Sequence, residues 1–360
     1  MSVRIVNSML VILSFIFATY LSGDNLLRLE KTIDNSYFGQ EMLFSNEIRD
    51  IYVDREKNLI FVVDSKFCQI KVFTKDGRLQ KVFGRRGQGP GEFLKPESLC
   101  ETADNRFYVI ADSDGRRLQF FKKDFSFEKL LKTPRIRVAD MISIKDDGFW
   151  VVPNKGFFIH ISMEAPKNKK SQPVLYKISS EGQILEKVGS SPYKKNFYLN
   201  EMMKNVVLLA GPNGTLITCY TIRNKIEIFN GSKVVRKFTI PLKFKPVQPK
   251  ASMKHKGDTF FMELSMDKIL NDATLDKEGK LYLVLYDSNT SAKTKTSSVG
   301  QYLCKFDLRN GKILGEWPIK NDGFIQSIDF LGDGSIVMLE NQDEDFSVHI
   351  YTILSKGEHR

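Results

Sequence analysis

From residue 26 onward the chain alternates short apolar runs with tight polar turns, and no segment sustains the 3.6-residue period of an amphipathic helix. Six turns recur at comparable spacing, at residues 55–58, 103–105, 146–148, 211–214, 276–279 and 332–334. Each leads into an apolar run: 59–63, 106–111, 149–152, 215–220, 280–286 and 335–339. Asn or Gly at the end of a short turn between two apolar runs signals a hairpin, because both residues accept positive φ. A second family of turns, at 75–77, 123–125, 180–182, 230–232 and 309–311, leads into a further strand each time. The chain thus predicts six first hairpins but five second hairpins, and the sixth repeat stops one strand short. Leu26–Ile33, which alternates as a half-buried strand does, is the spare strand at the opposite end. Pairing it with the last repeat closes a ring and removes the exposed sheet edges of an open stack. The expected fold is all-β, a six-bladed β-propeller of four-stranded antiparallel blades closed by the N-terminal strand.

The link at 82–96 is the most glycine-dense stretch, with Gly84, Gly87, Gly89 and Gly91. It is no phosphate cradle: no Gly-Lys-Ser/Thr follows and another strand, not a helix, comes next. Phe83-Gly-Arg-Arg-Gly-Gln-Gly-Pro-Gly-Glu-Phe-Leu-Lys-Pro, followed by Phe107-Tyr-Val-Ile-Ala-Asp and Arg117-Leu-Gln-Phe-Phe, resembles the NHL repeat. Leu59-Ile-Phe-Val-Val-Asp with Gln69-Ile-Lys-Val-Phe is a second partial copy, and the resemblance covers about residues 48–135. It implies kinship with secreted bacterial six-bladed propellers, and it bears on fold more than on function.

Composition refines this. The chain has 360 residues, 42% hydrophobic and 27% charged, enough for a large core. A formal net charge of +11 favours an anionic partner or surface. Residues 1–23, with Arg4 before an apolar run and Ser22-Gly23 at its end, read as an export signal, an uncleaved anchor being the alternative. Residues 24–360 then form a single domain, with blades at about 48–84, 97–132, 138–188, 203–241, 269–318 and 324–354. Cys68, Cys100, Cys219 and Cys304 lie in apolar runs without metal-ligand spacing, which predicts buried thiols; Cys68–Cys100 is the one pairing worth testing as a disulfide.

In a four-stranded blade, the turns joining strands 1–2 and 3–4 share one face of the disc. The 2–3 loops and the links between blades share the other. Here the first set is uniformly short, and the long segments all fall in the second: 34–47, 84–96, 164–173, 189–202, 243–268 and 288–300. Long loops on one side of a rigid scaffold are where binding usually resides. The loops and links of this face carry Arg85, Arg86, Arg116, Arg117, Arg135, Arg137, Lys194, Lys195, Arg223 and His255, with Tyr198 among them. Such a surface suits an anionic protein or polysaccharide, Arg weighing more than Lys because its fork grips carboxylate or phosphate in pairs. A merely solvated basic exterior is the competing reading. An export signal argues against nucleic acid as the partner.

One column of polar residues, eight positions before the Asn or Gly that ends each first turn, points to the channel mouth. It reads Asp50, Glu97, Asp140, Val206, Asn271 and Gln326, with Asp272 one place later. Oxygen side chains converging from several blades suit Ca2+, and calcium-dependent six-bladed lactonases hold their ion in that region. This frames an alternative function: a calcium-dependent hydrolase or lyase with Asp50, Glu97, Asp140 and Asn271 as ligands. Capping of backbone groups is the competing account of the column. The four histidines are isolated, His349 reads as structural, and no Gly-x-Ser-x-Gly elbow occurs. The first-ranked expectation is an exported propeller without catalysis or cofactor, binding through its basic loop face, with membrane contact only through an uncleaved N-terminal segment.

Overall fold

A computed structural model describes residues 26–35, 43–133, 136–144, 148–153, 173–189, 203–243, 250–256, 259–265, 268–287, 300–321 and 323–354. The expected export signal lies outside the described residues. The first strand, β1 (Leu26–Ile33), precedes all the blades in sequence. Blade 1 comprises β2 (Ile48–Asp54), β3 (Leu59–Asp64), β4 (Gln69–Thr74) and β5 (Leu79–Phe83). Blade 2 is β6 (Pro96–Glu101), β7 (Phe107–Asp112), β8 (Arg117–Lys122) and β9 (Phe127–Lys132). Blade 3 is β10 (Val138–Ile144), β11 (Gly148–Pro153), β12 (Leu175–Ile178) and β13 (Ile184–Val188). Blade 4 is β14 (Val206–Ala210), β15 (Leu216–Tyr220), β16 (Lys225–Asn230) and β17 (Lys233–Thr239). A separate hairpin follows, β18 (Lys250–Lys256) with β19 (Thr259–Ser265). Blade 5 is β20 (Leu270–Leu275), β21 (Leu281–Asp287), β22 (Gly300–Asp307) and β23 (Lys312–Ile319). Blade 6 is β24 (Phe324–Phe330), β25 (Ile336–Gln342) and β26 (Asp345–Leu354), with β1 as its outer strand.

The core lies between the blades, and strand alternation puts it there. Successive side chains of a strand point to opposite faces. In β3, Ile60 and Val62 pack against Val337, Leu339 and Val348 of blade 6. Their neighbours Leu59, Phe61 and Val63 pack against Leu99, Tyr108 and Ile110 of blade 2. The same division repeats around the disc, giving one apolar cluster in every gap between blades. Second strands are therefore buried on both faces, which is why they read as unbroken apolar runs. Each fully buried Phe or Ile contributes roughly 1.5–3 kcal/mol.

Ring closure follows the expected route. β1 runs antiparallel to β26 from Leu26 opposite Leu354 to Ile33 opposite Val348. Ile33 is fully buried in the cluster between blades 6 and 1. His349 ties the seam: Nδ1 lies 3.0 Å from Thr32 Oγ1, and Nε2 lies 2.8 Å from Ser347 Oγ and 3.0 Å from the Glu340 carboxylate.

Acidic residues near the ends of second strands secure the incoming chain. Asp64 accepts the Ser45 N–H at 3.0 Å and the Phe67 N–H at 3.0 Å, and pairs with buried Lys71 at 2.5 Å. Asp112 turns back to the preceding link, accepting N–H groups of Leu94 and Lys95 and pairing with Arg117 at 2.7 Å. Glu340 accepts the Gly323 N–H at 2.6 Å. Such bonds hold each link against the blade it enters.

Two expectations are revised. The segment 243–268, read as a loop, contains the β18–β19 hairpin, with Lys250 opposite Ser265 and Lys256 opposite Thr259. Thr-Phe-Phe-Met-Glu-Leu-Ser has strong strand preference, but the repeat spacing assigned it to a link. The Cys68–Cys100 pairing is not formed, and all four cysteines are buried free thiols. Cys68 packs in the gap between blades 1 and 2, whereas Cys100 faces the gap between blades 2 and 3.

Gly84 gives a direct test of the packing of the first link. Its φ is +89°, and a Cβ there meets the Phe93 ring at 2.5 Å and the Cys68 carbonyl oxygen at 2.9 Å. Gly84→Ala is expected to cost about 1–3 kcal/mol, read as a lowered denaturant midpoint. A midpoint equal to that of the native chain contradicts this packing.

Candidate functional site: an aspartate ring in the central channel

The innermost strands line a channel of about 560 Å³ along the disc axis. In five of the six, the pairing register shifts near the strand start, between Ile48 and Asp50, Pro96 and Ser98, Val138 and Asp140, Leu270 and Asp272, and Ile325 and Ser327. β14 pairs without a shift. The bulge skips one residue and re-aims the next. The residues after the bulges, Asp50, Ser98, Asp140, Asp272 and Ser327, form one ring that Val207 of the unbulged β14 completes. Aspartate thus stands on every second blade.

Each aspartate reaches across to the following blade. Asp50 Oδ2 accepts the Leu99 N–H at 3.4 Å, Asp140 Oδ2 the Leu208 N–H at 3.3 Å, and Asp272 Oδ2 the Ile328 N–H at 2.8 Å. The serines fill positions between them. Ser98 donates to Asp140 at 3.3 Å, and Ser327 lies 2.9 Å from Asp272 and 3.4 Å from Asp50. Removal from bulk water is the main force on all three carboxyls. It pushes Asp140 up to about 6 and Asp272 up to about 7, against the pull of the N–H and O–H donors. Asp50 is raised well above the carboxylate range by burial and by repulsion from Asp140 and Asp272.

The predicted column was displaced by one residue in some blades. Asp50 and Asp140 stand in the ring, but Glu97 and Asn271 are the skipped residues of their bulges. Glu97 lies 3.3 Å from Lys95 and 3.7 Å from Arg49. Asn271 donates to Gln301 at 3.1 Å, and Gln301 accepts the Ile325 N–H. The nominated calcium ligands Asp50, Glu97, Asp140 and Asn271 therefore do not converge. Among the described residues, no group of three or more His, Cys, Asp or Glu side chains is placed to hold a metal ion. The recurrence of Asp on every second blade, with Ser98, Val207 and Ser327 between, is the signal available in sequence, hidden because a bulge cannot be counted from residue spacing.

The opposite end of the channel is crossed by a second network. Arg55 pairs with Asp329 at 2.9 Å and donates to the Leu275 carbonyl at 2.6 Å. Asp329 also accepts the Val53 N–H and the Thr274 hydroxyl. Blades 1, 5 and 6 meet there.

On the long-loop face, the basic residues are largely engaged with the chain itself. Arg85 is 81% exposed but pairs with Glu92 at 2.8 Å. Arg86 donates to the Lys66 carbonyl. Arg116 takes a positive φ of 48° in the β7–β8 turn. Arg117, nominated as a surface ligand group, is buried: besides Asp112, it donates to the carbonyls of Gln88, Gly87 and Glu92 and so locks the glycine-rich link. Arg137 lies 3.5 Å from Asp114. His255 lies in β18, opposite Phe260. Arg223 stacks on Tyr220. Arg135, Lys194, Lys195 and Tyr198 lie outside the described residues.

Residues 24–234 match the family described as 6-bladed beta-propeller. No curated protein matches the chain in sequence. Similar solved structures include a duf4221-family member from Bacteroides vulgatus, at TM-score 0.58 and 10% identity, covering 92% of this chain and 99% of that one. Another, from Bacteroides fragilis and described as exported, has TM-score 0.55 and 12% identity over 92% of this chain and 96% of its own. Virginiamycin B lyase from Staphylococcus aureus has TM-score 0.51 and 14% identity over 90% of this chain and 99% of its own. At these identities the likeness is one of fold.

The ring makes stability depend on pH with a definite sign. The folded chain holds these carboxyls neutral above the ordinary aspartate value near 4. The stabilising contribution of Asp140 and Asp272 is complete below about pH 4 and is lost as pH rises through about 6 to 7. Asp272→Asn keeps the acceptor oxygen and removes the charge. It is expected to raise the melting temperature at about pH 8 and to flatten the decline in stability between about pH 5 and 8. Melting curves across that range are the check. A variant less stable than the native chain at the upper end contradicts the assignment.

Proposed function

We infer, since the chain belongs to the 6-bladed beta-propeller family, that it is an exported, NHL-like propeller whose central channel performs acid–base chemistry. The reaction class is hydrolysis or elimination on a small ligand entering from the long-loop face. One observation carries this reading: three carboxyl groups from alternate blades share a channel of about 560 Å³, two of them with pKa pushed up to about 6 and about 7. A carboxyl that is part protonated near neutral pH can both take and return a proton, which an ordinary surface aspartate does poorly. Ser98 and Ser327 supply hydroxyls beside them. No step in this reading passes through a metal ion.

In this mechanism the ionised member of the ring takes a proton, from the ligand in elimination or from the attacking water in hydrolysis, and a neutral member protonates the leaving group. Repulsion among the three favours a mixed population over a fully ionised one. Arg55, held by Asp329 and the Leu275 carbonyl, narrows the far end and keeps the ligand near the ring. The competing reading, a binding module for an anionic protein or polysaccharide, rests on exposed Arg85 and Arg86. Glu92 already offsets part of that charge.

The two readings separate experimentally. Turnover of a panel of lactones, esters and uronate polymers is expected to show a limb near pH 6–7. Asp140→Asn and Asp272→Asn are each expected to lower kcat by about 10²- to 10⁴-fold. Turnover unchanged in both variants overturns the channel reading. Capture of anionic polymer that collapses with salt and with Arg85→Ala/Arg86→Ala, but not with the aspartate variants, favours the rim instead.

A further inference from the structure

One charged group on the long-loop face has an edge without an acceptor. Arg223 stands in the connection between β15 and β16, with its guanidinium carbon 3.8 Å from the centroid of the Tyr220 ring. Tyr220 is buried, and its hydroxyl donates to the Glu227 carboxylate at 2.6 Å. Lys225, at 2.5 Å, and Lys237, at 3.7 Å, compensate the other oxygen of Glu227. The ring is thereby fixed, and stacking on it fixes the plane of the guanidinium.

Two nitrogens of that guanidinium, Nε and Nη2, are out of contact with solvent and have no hydrogen-bond partner. They are not an arbitrary pair. Their N–H bonds run parallel along one side of the group, the edge that grips both oxygens of a single carboxylate. Unpaired donors away from water carry a desolvation cost of about 1–3 kcal/mol, and more on a charged group. Nothing else in the described structure answers that edge.

We propose that the Nε–Nη2 edge of Arg223 is a binding site for a carboxylate group, presented in a fixed plane by Tyr220. A planar two-oxygen acceptor satisfies one fork completely. A tetrahedral dianion leaves oxygens and charge uncompensated, because the nearby lysines are engaged by Glu227. Arg223 does not line the central channel, so this site stands apart from the aspartate ring and does not depend on the acid–base reading. The carboxylate belongs either to a simple organic acid or to a sugar acid, and the two are distinguished by the probes below.

The test uses the full exported chain labelled with 15N. The Nε–H resonance of Arg223 is followed during titration with sodium acetate, sodium glucuronate and, at matched ionic strength, sodium chloride. A saturable downfield shift with either carboxylate and none with chloride is expected; tighter binding of glucuronate identifies a sugar acid. Arg223→Lys retains the charge but loses the fork, and is expected to weaken binding by about tenfold or more. Melting curves establish that the variant is folded; if it is not, the native titration alone decides. Absence of a saturable shift with both carboxylates overturns the proposal, as does an equal shift with chloride. Undiminished binding by folded Arg223→Lys overturns it too.

Discussion

The pairing of β1 with β26 is the constraint on which the molecule depends. A propeller blade cannot bury its own apolar faces, because every second strand has two of them and each needs a neighbour. Only a closed disc gives every blade a partner on both sides. Ile33 fills the last gap from the N-terminal side, while Val348 and Ile350 fill it from the C-terminal side. The chain therefore closes the ring by hydrogen bonding and by packing at one seam, with His349 bridging the two strands.

Closure also makes the channel chemistry. Asp50 belongs to the first blade and Ser327 to the last, yet they face one another at 3.4 Å. Bulges in five blades then turn one residue each inward at the same level, with Val207 of the unbulged β14 as the sixth, and the alternation of Asp with smaller or apolar residues keeps the acids from adjoining positions. Each carboxylate bonds a backbone N–H of the next blade, so the ring is at once an inter-blade fastening and a set of proton-holding groups. These two roles pull in opposite directions: the donors favour the ionised form, and the loss of water favours the neutral one. Burial wins, by the margin that puts Asp272 at about 7.

Much of this was written in the order of residues. Hairpin turns marked by Asn58, Asn105, Gly279 and Gly334 all take positive φ, as their sequence context required. Unbroken apolar second strands reported burial on two faces, and an unmatched strand at each end of the chain reported closure. The site was only half legible. Asp50 and Asp140 were found from repeat alignment, but Glu97 and Asn271 were chosen because counting residues cannot see a bulge. Arg117 looked like a surface charge for a related reason: its neighbour Arg116 is turned by a positive φ, while Arg117 itself begins a strand and points inward to Asp112. Charge composition suggests a basic exterior, whereas the acids that offset it stand close in space as well as in sequence.

Three carboxyl groups, distant in sequence, feel one another across the channel. Titration of the Asp50 side-chain carboxyl by 13C NMR measures this directly, in the native chain and in the Asp140→Asn/Asp272→Asn double variant. A native midpoint above the ordinary aspartate range is expected, moving down once the two neighbouring charges are gone. An ordinary midpoint in the native chain, or one that the double variant leaves in place, would contradict it.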